Sequence, residues 1–143
     1  MNTNKENPLV GKKFQDLAAE LLARYYDIEF THEETFDIGS PPKPHKFDLV
    51  SKDRSIVAEC KCYTWTKGHN SPSAKIATLN EAVLYFKLLH HQCKKLLLIN
   101  KSKNPKTGES LALYYLRRYI FVLEGITVIE LDTESQTLKT IKN

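Results

Sequence analysis

The stretch from Phe47 to Lys61, FDLVSKDRSIVAECK, decides the reading of this chain. Two runs of strand-forming residues, Phe47 to Val50 and Ile56 to Tyr63, flank the polar turn Ser51 to Ser55, a hairpin pattern. Side chains alternate between the faces of a strand, so Ile56, Ala58, Cys60 and Cys62 share one apolar face, and Glu59 and Lys61 point together to the other. A hairpin of this length brings Asp48 close to Glu59. Two carboxylates and an ammonium then meet at one spot in a sheet, where charge is rare unless it is paired or functional.

Neighbouring anions repel, and a divalent cation relieves the repulsion. Carboxylate oxygens suit hard ions, which points to Mg2+, with Mn2+ able to substitute. An ion held by Asp48 and Glu59 would acidify a bound water and polarise a phosphoryl oxygen. Lys61 would hold that water or stabilise charge on the pentacovalent transition state. The chemistry that follows is phosphodiester hydrolysis.

Outward from this hairpin, the apolar positions Val10, Phe14, Leu17, Ala18, Leu21, Leu22 and Tyr25 recur at spacings of three and four, predicting an amphipathic helix over 9–26. Ile28 to Ile38 reads as a strand and Gly39 to Pro44 as a loop, so three antiparallel strands are expected in succession. Ser71 as N-cap and Pro72 at the first helical position open a second helix, running to about His91. Lys95 to Asn100 and Ile126 to Leu131 are apolar runs of interior-strand length, Glu109 to Leu123 reads as a third helix, and Leu138 to Ile141 as an edge strand. The expected class is α/β (α+β), with a mixed central sheet flanked by helices in one domain over 1–143.

Asp48 followed by Glu59-Cys60-Lys61 resembles the motif of the PD-(D/E)XK nuclease superfamily, with Phe47 where that motif opens on proline. The resemblance extends to the order of elements and implies a restriction-endonuclease-like core, αβββαβ. It implies that Asp48, Glu59 and the backbone carbonyl of Cys60 hold the metal and that Lys61 is the catalytic lysine. The segment Gly11-Lys12-Lys13-Phe14-Gln15 is similar to the G-x-x-F-E opening of Mrr-like and related nucleases, with glutamine in place of glutamate. At about 100° per residue, Gln15 borders the buried stripe while Glu20 faces away from it. Gln15 is therefore the expected helix contribution to the site, and Glu20 a solvated residue.

Charge divides unevenly: residues 1–66 carry 9 basic and 11 acidic side chains, residues 67–143 carry 12 and 6. Such a basic excess suits a polyanion. Candidate nucleic-acid contacts are Lys75 near the start of the second helix, Trp65, Lys67 and His69 in the loop after the hairpin, and Lys101, Lys103 and Lys106 in a later turn. The expected partner is DNA, with RNA open, and cutting both strands calls for a homodimer. A nucleic-acid-binding module that keeps the fold without cleavage is the alternative, motivated by Gln15. Cys60, Cys62, His69 and Cys93 match no standard zinc spacing, and the polar N-terminus and reduced thiols fit a cytoplasmic protein.

Overall fold

The computed structural model describes residues 3–65 and 72–143. In chain order they form α1 (Thr3–Tyr26), β1 (Phe30–Ile38), β2 (Lys43–Ser51), β3 (Ile56–Lys61), α2 (Ser73–Lys87), β4 (Lys94–Asn100), α3 (Leu111–Tyr119), a 3-10 turn (Ile120–Val122), β5 (Ile126–Asp132) and β6 (Thr137–Lys142). The strands make one mixed sheet in sequence order, β1 to β6. β1, β2 and β3 are mutually antiparallel, β3, β4 and β5 run parallel, and β6 returns antiparallel. The expected α/β class with a mixed sheet between helices is what the chain adopts.

Both parallel connections, β3-α2-β4 and β4-α3-β5, step across the sheet in the same direction. Right-handed crossovers of this kind put their helices on one face. Accordingly Ile76, Leu79, Val83 and Phe86 of α2 and Leu111, Ala112 and Tyr115 of α3 share a core with Val57, Leu97, Ile99 and Val128. The opposite face carries α1, whose Phe14, Ala18, Leu21 and Leu22 pack on Leu49, Ile56, Ala58, Leu96, Leu98, Ile129 and Leu131. This is the stripe and the strand face read from the sequence. Cys60 and Cys62 pack against the α1 core and Cys93 against the other, and all three are free thiols.

Several boundaries move, each for a local reason. Strand β2 begins at Lys43, inside the expected loop, because the chain reverses within 39–42 and Lys43 already pairs with Ile38. Strand β3 ends at Lys61 rather than Tyr63, although Cys62 keeps its apolar packing. Helix α2 ends at Lys87, not near His91: Leu88 caps it, Leu89 bridges to Ile38, and His91 hydrogen-bonds the carbonyl of Arg54 at 2.6 Å. The N-cap of α2 is Pro72, so the helix begins one residue later than expected, and Ser71 lies outside the described residues. Helix α3 starts late because Ser110 caps it, its hydroxyl accepting from the N–H of Leu113, and it tightens into 3-10 geometry after Tyr119. Among the described residues no helix is long and apolar enough to cross a membrane.

Leu98 is fully buried between α1 and its neighbouring strands. Leu98→Ala is expected to cost about 2–5 kcal/mol, the usual range for emptying such a position. Urea unfolding checks this, with the midpoint falling and the slope unchanged.

Candidate functional site

Strands β2 and β3 pair for a short distance, Val50 with Val57 and Leu49 with Ala58, and then part. Continued regularly, that register would set Asp48 opposite Glu59. Instead the alternation of β2 breaks at Asp48, because Phe47 and Leu49, two residues apart, pack on opposite faces of the sheet. On the other side of β2 the partners step from His32–Leu49 to Glu34–Phe47, and the intervening Glu33 has a left-handed backbone, φ 58°. Where the strands diverge, the Asp48 side chain fills the gap: its Oδ2 accepts the backbone N–H of Cys60 at 2.7 Å.

Glu59 sits directly beside it, 5% exposed. Burial, then the charge of Asp48, then a hydrogen bond to Asp48 push the Glu59 carboxyl up to about 9, against a smaller opposing pull from Lys61. Burial and the neighbouring Asp48 thus both favour the protonated form of Glu59. Asp48 and Lys61 each act on Glu59 electrostatically.

Two clefts flank this point. One, of about 500 Å3, is lined by Gly11, Lys12, Gln15, Asp16, His32, Glu33, Asp48 and Cys60. The other, of about 420 Å3, is lined by Val10, Gly11, Cys60, Lys61, Cys62, Tyr63, Thr64 and Lys75. Asp48 opens into the first and Lys61 into the second, with Gly11 and Cys60 shared between them. Both lie at the C-terminal end of β3, where the parallel part of an α/β sheet characteristically presents its ligand sites.

No family model matches this chain, and no solved structure matches it. Among curated proteins it is similar to SET domain-containing protein 4 of Saccharomyces cerevisiae (strain ATCC 204508 / S288c), 32% identical over 69 residues. The overlap takes in 41% of this chain and 12% of that protein, so the chain spans about an eighth of the relative's length. A match this partial shows no family, and the function is argued from the site.

Gln15 reaches the site from α1. Its amide nitrogen donates to the backbone carbonyl of Asp48 at 2.9 Å and lies 3.0 Å from Nδ1 of His32. It therefore steadies the strand at Asp48 through the backbone rather than through the carboxylate. Glu20 stays on the solvated face, paired with Arg24 one turn on. Lys75 projects from the first turn of α2 into the cleft that Lys61 lines, donating to the carbonyl of Thr64, and burial lowers its pKa.

Trp65 is taken up by packing. Its indole N–H donates to the carbonyl of Glu109 at 3.0 Å, its backbone N–H to Ser102 Oγ at 2.9 Å, and its ring meets Tyr114 edge-on. It ties the segment after β3 to the loop after β4 and is half-buried there. Lys67 and His69 lie outside the described residues. That tie brings the 101–106 loop to the same end of the sheet: Lys101 pairs with Asp132 at 3.6 Å, Lys103 bridges to Ser110, and the Lys106 N–H bonds Asn104 Oδ1.

Sequence reasoning missed His45. Its Nε2 lies 3.4 Å from Glu59 Oε1, and Asp48, Lys61 and Glu81 all act on it electrostatically. Burial, helped by Lys61, lowers its pKa against the opposing pull of Asp48 and Glu81. The available signal was its spacing: two residues before Phe47, it shares that residue's strand face.

Among the described residues no group of three or more His, Cys, Asp or Glu side chains is arranged to hold a metal ion. A contacting pair of carboxylates fits Mg2+, which keeps several waters and needs one or two carboxylates from the protein.

The buried pair has a measurable consequence without metal. Unfolded, Glu59 ionises near its ordinary 4.5; folded, near 9. Its contribution to stability is complete below the lower value and is lost progressively as pH rises to the higher one. Glu59→Gln stays neutral throughout, so in a chelating buffer it is expected to melt higher than the unaltered protein at pH 8 and no higher at pH 4. Parallel melting curves across that range would show that Glu59 is not held as a buried acid.

Proposed function

We propose that this chain is a metal-dependent endodeoxyribonuclease of the PD-(D/E)XK type, hydrolysing phosphodiester bonds in a restriction or recombination role, with a restriction-endonuclease-like core. The observation that carries the reading is the meeting of Asp48, Glu59 and Lys61 where β2 and β3 part, beside two solvent-open clefts. A buried carboxyl held beside a second acid is costly to retain. Its retention is accounted for if a divalent cation takes the place of its proton.

Asp48, Glu59 and the backbone carbonyl of Cys60 would hold Mg2+, or Mn2+ in substitution. The ion would supply Lewis acidity at a phosphoryl oxygen and a water of lowered pKa. The protein's own groups do the rest. Lys61, at the mouth of its cleft, orients the attacking water and stabilises charge building on the phosphate. Lys75, in the same cleft, engages a neighbouring phosphate, and Lys101, Lys103 and Lys106 extend basic charge along the same end of the sheet. Gln15 fixes the backbone of Asp48 and so the direction in which the carboxylate faces.

A cytoplasmic location agrees with the three free thiols. Cleavage of both DNA strands calls for a homodimer, for which Ile120 and Phe121, 56% and 76% exposed, offer apolar surface. One observation favours a second reading, a binding module without turnover: the α1 position that carries glutamate in Mrr-like nucleases holds Gln15, which reaches the backbone of Asp48 instead of adding a carboxylate.

Supercoiled, linear, branched and single-stranded DNA, with RNA in parallel, incubated with Mg2+ or Mn2+, separate the two readings. The nuclease reading expects cleavage that falls at least about a hundredfold in Lys61→Ala, the scale of losing one transition-state donor, and disappears in Asp48→Ala. Cleavage surviving both substitutions would refute it. Salt-sensitive binding without cleavage in any divalent metal would favour the module.

A further inference from the structure

His45 is held on three sides. Its imidazole lies over the Tyr85 ring, centroids 3.9 Å apart and planes 29° from parallel. The edge of Phe47 meets it at 4.7 Å and 82°. Its Nε2 faces Glu59 Oε1 at 3.4 Å. With the side chain 23% exposed, the ring is confined in plane and in direction. Tyr85 belongs to α2 and Phe47 to β2, so the two aromatic contacts come from separate elements and fix the ring relative to both.

From this arrangement we infer that His45 is a positioning residue for Glu59: Tyr85 and Phe47 fix the imidazole, and its Nε2–H holds one oxygen of the Glu59 carboxyl so that the other faces Asp48. The inference rests on the reading of Asp48 and Glu59 as a divalent-cation pair. The division of labour follows from hydrogen-bond capacity. Either oxygen of a carboxyl group can accept a hydrogen bond, and Oε1 of Glu59 has His45 Nε2 beside it at 3.4 Å. His45 supplies a donor there only as the Nε2–H tautomer, leaving Nδ1 without a proton. Without His45 the carboxyl is free to turn about its terminal torsion, which is soft. Partners that orient a metal-binding carboxylate in this manner typically account for about 10–100-fold in metal affinity.

Calorimetric titration with Mn2+ alone, alongside thermal melting, tests the inference on the full chain. His45→Phe keeps a flat ring for Tyr85 and removes the donor; His45→Gln returns an amide N–H near the position of Nε2. The expectation is that the unaltered protein binds Mn2+, Asp48→Ala does not, and His45→Phe melts close to the unaltered protein but binds at least about tenfold more weakly. His45→Gln is expected to recover part of that loss. Binding by His45→Phe at the original affinity, with Asp48→Ala silent, would overturn the role of His45 and leave the acid pair standing. No Mn2+ binding by the unaltered protein would overturn both. A measurement that needs no variant is long-range 1H–15N NMR of the metal-free protein: the Nε2–H tautomer of His45 supports the inference, and the Nδ1–H tautomer refutes it.

Discussion

The structure turns on a backbone N–H that has lost its strand partner. Where β2 leaves β3, the amide of Cys60 would be left unpaired in a half-buried position, which costs free energy comparable to a lost hydrogen bond. The carboxylate of Asp48 takes the place of the missing ladder bond. That single contact allows the strands to separate without penalty, and the separation opens the sheet between the two clefts that share Cys60. It also sets a negative oxygen beside Glu59, and the rest of the site is a response to that charge. Glu59 keeps its proton, Lys61 stands within reach, and Gln15 braces the strand from the other face.

The Glu59 half of this acid pair gains nothing for the metal-free fold. Burial and the neighbouring carboxylate both oppose ionisation of Glu59, so the folded protein must take up a proton that the unfolded chain would release. An apolar residue of similar size in place of Glu59 would pack there at lower cost. Stability is conceded beside the two clefts that share Gly11 and Cys60. Such a combination of perturbed acid, nearby base and cleft is what functional sites require.

Much of this was legible beforehand because strands and helices impose fixed periods. The apolar spacing of three and four found α1, and the twofold alternation divided Ile56, Ala58 and Cys60 from Val57 and Glu59. The helical wheel, with the resemblance of its segment, chose Gln15 over Glu20, and Gln15 is the residue that reaches Asp48. Local rules worked less well wherever a distant residue intervened. The anchoring of Trp65 by Glu109 and Tyr114, more than forty residues on, could not be read from its loop. His45 drew no notice because its significance depends on Tyr85, forty residues away on a helix that crosses behind the strand. The end of α2 was misjudged because Ile38 of β1 captures Leu89.

By itself the sequence determined which residues face which core, the hairpin register that draws Asp48 towards Glu59, and the class of fold, because these follow from side-chain period and turn chemistry within short windows. The tertiary structure alone decided that β2 and β3 part at Asp48, that the Glu59 carboxyl is neutral, and that His45 abuts it. Those features arise from packing two helices of one face against strands whose alternation is broken, and from the desolvation that this packing imposes. No local spacing encodes a loss of water.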